Sequence, residues 1–158
     1  MTLAILPVAE ALAAPVVTYR LATDVDGPVI GALFKAADYG DLGVDWQTAN
    51  VAYGWLVAER AGELVGAIQL FVGQPYSVIG DCIVRPSVRA RESDGRASRF
   101  GRPGEVTLGL YAGALRMLKD TGSQVAIGMT RKAGMARLIG RYGGVPLGPF
   151  EGYAKGLR

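Results

Sequence analysis

The chain has 158 residues and a formal charge of +3; half of its residues are hydrophobic and a fifth are charged. That length fits one domain able to bury its own core without metal or disulfide staples, and the composition is globular rather than disordered. Histidine is absent and cysteine occurs once, at Cys82, which excludes a Ser-His-Asp or Cys-His mechanism, a histidine-based zinc site and an internal disulfide.

Residues 1–15 form an apolar stretch with Leu3, Ile5, Leu6, Val8 and Leu12, ending in small residues and Pro15. It lacks the positively charged start of a secretory signal and carries Glu10, so it reads as an N-terminal arm preceding a domain over 16–158. Its apolar side chains suit docking on a protein partner or self-association better than solvent. Nothing approaches the roughly 20 apolar residues that span a bilayer. A single thiol suits a reducing compartment such as the cytoplasm. So small a positive excess does not mark nucleic acid as a partner.

Val16 to Leu21 is rich in β-branched and aromatic residues and reads as a strand. Thr23-Asp24-Val25-Asp26 offers a helix cap, followed by Pro28 in the first turn. Val29, Ile30, Leu33, Phe34 and Ala37 then recur on one helical face, with Gly40 and Gly43 as stops. Trp55–Glu59 and Glu63–Val72 flank Arg60-Ala61-Gly62, the pattern of a β-hairpin. Ser77 to Val84 adds a third strand after Gln74-Pro75, completing an antiparallel meander.

Arg85 to Gly104 is polar, with six arginines: Arg85, Arg89, Arg91, Arg96, Arg99 and Arg102. Helical spacing returns from Val106 to Lys119 and stops at Gly122. Gln124–Met129 reads as a buried strand and Lys132–Tyr142 as a helix with Met135, Leu138 and Ile139 on one side. Val145–Leu147 and Tyr153–Leu157 close the chain as short strands. Strands and helices alternate only in part, so the expected fold is α/β in the α+β sense: a mixed, mostly antiparallel central sheet flanked by helices.

This order, with several local phrases, resembles the GNAT superfamily of acetyl-CoA-dependent N-acetyltransferases. The hairpin Trp55–Glu59 and Glu63–Ile68 looks like the family's second and third strands. Cys82-Ile83-Val84-Arg85-Pro86 is similar to the end of its fourth strand, and Ala136 to Gly148 to its fourth helix and the glycine step into the sixth strand. The resemblance implies a gap between splayed fourth and fifth strands that takes acetyl-CoA, with its diphosphate at the start of the next helix. A helix start offers amide donors and partial positive charge to an anion.

The family's loop pattern, Q/R-x-x-G-x-G/A, is only half kept. Arg89 to Asp94 has the leading arginine without either glycine. Arg99-Phe100-Gly101-Arg102-Pro103-Gly104 keeps the first and last positions and runs straight into the helix, which favours it. The implied cofactor contacts are Ile83, Val84, Arg99, Gly101, Arg102, Gly104, Glu105 and Val106, with arginines replacing some amide contacts to phosphate.

Acyl transfer to an amine needs a base for the amine and an acid for the thiolate. Asp81 on the fourth strand is the first candidate base and Glu59 the second. Aligning Gly143-Gly144 with the family's glycine step puts Ile139 where a tyrosine acid is frequent and Lys132 where an asparagine is. Tyr142 is one turn away and is the candidate acid after a register shift. Tyr111 and Tyr153 read as pocket lining or core, and Cys82 as a structural thiol. The expected function is GNAT-like N-acyl transfer from CoA to an amine. The alternative is a catalytically silent scaffold, for example in a phage particle, using the arm and the arginine loop as contacts.

Overall fold

The computed structural model describes residues 16–36, 54–88, 104–129, 133–146 and 152–156. They form strands β1 (Val17–Leu21), β2 (Trp55–Arg60), β3 (Glu63–Phe71), β4 (Tyr76–Val84), β5 (Val125–Met129), β6 (Val145–Pro146) and β7 (Gly152–Gly156). The helices are α1 (Gly27–Ala36), α2 (Glu105–Asp120) and α3 (Ala133–Arg141). One seven-stranded sheet runs in the order β1-β2-β3-β4-β5-β7-β6. Its single parallel pair among the described residues is β4–β5. The expected mixed, mostly antiparallel sheet is present, including the meander β2-β3-β4.

Trp55 to Ala58 is apolar without alternation because both faces of the sheet are covered. Leu56 and Ala58 join Val65, Ile68, Leu70, Val84 and the α2 residues Val106, Leu110, Ala114 and Leu118 in a large core layer. Trp55 and Val57 turn the other way, onto Ile30, Leu33 and Phe34 of α1. There Phe34 meets Trp55 edge-on, with ring centroids 5.5 Å apart. Val29, expected on the buried face of α1, is 40% exposed. Gly27 and Gly31 are buried instead, so the contact face is rotated toward the glycines.

The β2–β3 link is shorter than Arg60-Ala61-Gly62, because Arg60 still pairs with Glu63. Ala61 and Gly62 take φ of 53° and 77°, the two left-handed residues of a tight hairpin turn. Helices α2 and α3 both end at glycines, the first at the expected Gly122. After α2, Gly122 N–H reaches the Lys119 carbonyl and Ser123 N–H the Leu118 carbonyl, with Gly122 at φ 85°. After α3, Gly143 N–H reaches Gly140 and Gly144 N–H reaches Ile139, with Gly143 at φ 77°. These paired bonds are Schellman motifs, and only glycine enters them without strain.

Candidate functional site

The β4–β5 pair is joined at one end and, among the described residues, unpaired at the other. The ladder pairs Tyr76 to Ile79 with Val125 to Gly128 and goes no further. From Gly80 to Val84, β4 pairs with β3 alone among the described residues. Register explains part of this: Leu70 faces Ile79 but Ile68 faces Cys82, so Gly80 and Asp81 together oppose Gln69. That is a β-bulge, which bends the strand and disrupts its ladder.

A buried polar knot holds the closed end. Ser77 and Ser123 are 1% and 4% exposed, and their hydroxyls bond each other. Ser123 donates to the Gly73 carbonyl at 2.9 Å, and Gly73 N–H donates to Ser77 Oγ at 3.0 Å. The Pro75 carbonyl accepts from Gln124 N–H and Val125 N–H at 2.9 and 3.2 Å. The β3–β4 turn and the α2–β5 turn are thereby fastened together.

The start of α2 packs against β1, β2 and β3. A parallel β4-α2-β5 unit returns the helix antiparallel to its strands, so α2 begins where β4 finishes. Gly66 lets it approach: a Cβ there would stand 3.0 Å from the Ile83 carbonyl and 3.1 Å from Val106 and Leu110. Gly104 is the N-cap and has no side chain to cap the first turn. Tyr19 on β1 donates its phenol to the Glu105 carbonyl at 3.4 Å, and Arg60 Nη2 stands 3.6 Å from Glu105 Oε2. An uncapped helix start beside an open strand edge is suited to an anion and the chain attached to it.

The sequence candidates fall in three places. Ile83, Val84, Gly104, Glu105 and Val106 gather at the open end, with Ile83 and Val84 nearly fully buried. Asp81 is half-buried within the bulge of β4. Glu59 lies on β2 and accepts from Arg20 Nη2 at 2.6 Å and Arg20 Nε at 3.1 Å. Tyr142 follows α3, and its ring meets Tyr111 edge-on at 5.3 Å. Tyr111 is core, 3% exposed, and burial raises its phenol pKa to about 12, with Tyr142 adding to the shift. Arg99, Gly101, Arg102, Lys132 and the Tyr153 side chain lie outside the described residues, as does the arm over 1–15.

One contributor to the fork escaped the sequence reading: Gly80, in the bulge. Gly80 carried a usable signal, since an isolated glycine in a strand often marks a bulge. Among the described residues no cluster of His, Cys, Asp or Glu could hold a metal, and no helix is long and apolar enough to cross a membrane.

No family model matches the sequence, and no curated protein matches it either. Solved structures do match. An N-acetyltransferase from Staphylococcus aureus Mu50 superposes with TM-score 0.63 at 14% identity, over 90% of this chain and 99% of its own. A GNAT family acetyltransferase from Brucella melitensis in complex with acetyl-CoA gives TM-score 0.59 at 15% identity, over 89% and 87%. The diaminobutyrate acetyltransferase of Paenibacillus lautus, in complex with L-2,4-diaminobutyric acid and coenzyme A, gives 0.59 at 18%, over 81% and 75%. The chain has the GNAT fold.

At such low identities the likeness concerns the backbone. The side chains are this chain's own: Asp81 in the bulge, Arg60 and Glu105 at the helix start, and Ile139 beside Gly128 of β5.

Proposed function

We propose that this protein is an N-acyltransferase that binds acetyl-CoA in the β4–β5 fork and passes the acetyl group to an amine. The observation that supports this reading is the β4–β5 ladder, which among the described residues stops at Ile79 and Gly128, with the start of α2 following β4 in the chain and carrying no side-chain cap. The GNAT acetyltransferases it resembles include ones solved with acetyl-CoA or CoA.

Acetyl-CoA, when bound, supplies an activated acyl carbon that an amine attacks directly. The backbone from Gly104 to Val106 receives the diphosphate, favoured by the helix dipole. The β4 edge at Ile83 and Val84 offers amide and carbonyl groups off the β5 ladder to the extended chain behind it. Asp81 is the base that takes the amine proton. It lies just past the last β4–β5 pair, which supports this choice, and Glu59, which accepts from Arg20, stands second. Tyr142 is the candidate proton donor to the departing thiolate, by way of its phenol. Nothing observed favours the silent-scaffold alternative.

Thermal melting with and without acetyl-CoA tests the reading. Cofactor at 100 times its dissociation constant stabilises by about 2.7 kcal/mol, a shift of roughly 5–10 °C for a domain of this size. Melting unchanged at millimolar acetyl-CoA, together with no thiol release across a panel of amines, would overturn it.

A further inference from the structure

Between Leu64 and Leu70 every residue of β3 is buried except Gln69, which is half-buried. Gln69 pairs with Trp55 of β2 on one side and lies opposite Gly80 and Asp81 of the β4 bulge on the other. Residues directly opposite each other in an antiparallel pair share a face, so Gln69 projects with Trp55 on the side of the sheet that α1 covers. Gly80 makes room for it. A Cβ at Gly80 would stand 2.8 Å from Gln69 Oε1 and 3.2 Å from both Gln69 Cβ and Phe71 Cε2. The carboxamide therefore lies across Gly80, next to the residue assigned as the base. Gln74 gives its amide to the Thr121 carbonyl at 2.9 Å, whereas the Gln69 amide makes no hydrogen bond among the described residues. A half-buried amide without a partner is unfavourable, and such an exception in an otherwise satisfied fold marks a group kept for something other than the fold.

We propose that Gln69 is a specificity-determining residue of the acceptor site, and that its carboxamide recognises an amide carried next to the amine to be acetylated. The inference rests on the acyltransferase reading with Asp81 as base, which brings the amine to the bulge. A carboxamide is neutral and offers both donor and acceptor, so a second amide satisfies it at two points. A carboxylate would use its N–H donors alone and bring a charge it cannot neutralise. Arg20, the guanidinium on that side of β1, is committed to Asp26 and Glu59. A plain alkyl group would leave the Gln69 amide unpaired, the kind of loss by which a polar site rejects an analogue.

Rates of acetyl-CoA-dependent thiol release with glycinamide, glycine and propylamine separate the possibilities in wild type, Gln69→Leu and Gly80→Ala. Wild type is expected to favour glycinamide. Gln69→Leu keeps the bulk and removes the amide, so the glycinamide-to-propylamine ratio of kcat/KM should fall about tenfold. Its melting temperature should hold or rise, because an unpaired amide gives way to an apolar group of similar shape. A purely structural side chain cannot take selectivity with it and leave stability intact. Gly80→Ala keeps the amide but pushes it aside, and is expected to lower the same ratio. Should Gly80→Ala fail to fold, Gln69→Glu, which keeps the shape and removes the donor, must lower that ratio instead. If wild type acetylates amines and Gln69→Leu keeps the wild-type ratio or melts at a lower temperature, the role of Gln69 is overturned and the acyltransferase reading survives. A wild type that takes glycine or propylamine as well as glycinamide, or binds CoA and turns over none of the three, has the same consequence. If wild type neither binds CoA nor releases thiol with any amine, both are overturned.

Discussion

Arg20 grips Asp26 with both terminal nitrogens of its guanidinium, at 2.7 and 2.9 Å, and reaches Glu59 with the same group at 2.6 Å. Asp26 also accepts from Thr23 N–H at 2.7 Å and from the Thr23 hydroxyl at 3.0 Å. One carboxylate thus joins β1, the turn into α1 and, through Arg20, β2. Arg20 hydrogen bonding holds the Asp26 carboxyl well below the usual carboxylate range, against the opposing pull of burial. The same pair moves the Arg20 guanidinium above its ordinary value.

A group whose folded pKa is depressed stabilises above its unfolded pKa and loses that contribution as pH falls toward the folded one. The unfolded aspartate value is about 3.9. Urea midpoints should therefore show a steady Asp26 contribution from neutral pH down to about pH 5, and a loss below about pH 4. Asp26→Asn should cost about 1–3 kcal/mol at pH 7, since it removes the charge from a nearly buried carboxylate that accepts from Arg20 and Thr23. It should also flatten the acid limb of the urea-midpoint profile.

Gly66 is the position where α2 comes closest to the sheet. Gly66→Val places a branched side chain where even a Cβ is crowded by Val106, Leu110 and the Ile83 carbonyl. Overpacking of this kind costs about 1–3 kcal/mol, and it moves the helix start that the cofactor reading depends on. Denaturant unfolding and CoA titration should report both losses. A variant with wild-type CoA affinity would separate the helix start from the cofactor.

The serine knot predicts non-additive substitution. Ser77→Ala and Ser123→Ala each leave a buried polar partner short of a bond, at a cost of about 1–2 kcal/mol. The double variant should cost less than the sum, because both hydroxyls share the Gly73 carbonyl and each other. Chemical unfolding of the four-member cycle measures the coupling.

Asp81→Asn tests the base directly. It keeps the size of the side chain and removes its proton-accepting charge, so turnover should fall about 100-fold or more while CoA affinity stays near wild type. Unchanged turnover would move the role to another group.

Gly143→Ala forces a left-handed backbone on a residue with a Cβ, a cost of about 1 kcal/mol. At the neighbouring position, Gly144→Ala drives its methyl into the Ile139 side chain. Both should loosen the seat of α3, read as faster amide exchange from Leu138 to Tyr142.

Element order was legible because strong local signals agreed with tertiary packing. Ala61-Gly62, Gly122 and Gly143 mark turns through φ, which depends on the residue itself. The rotation of α1 was not legible: Val29 is as apolar as Ile30, and only the close approach of Gly27 and Gly31 decides which is covered. The fork was foreseen through likeness alone. Of its physical causes, the bulge at Gly80 and Asp81 left one local mark, the glycine, while the serines across the closed end are 46 positions apart and leave none. Arg60 and Glu105 are likewise 45 residues apart in sequence, and no spacing rule brings them together.

The serine knot also sets how the two strands can part. With Pro75 tying the feet of β4 and β5, the tips can only swing apart like the legs of a compass, and the separation at any depth is fixed by the distance from the pivot. A slender chain can lie deep between the legs while a bulky end group stays near the rim.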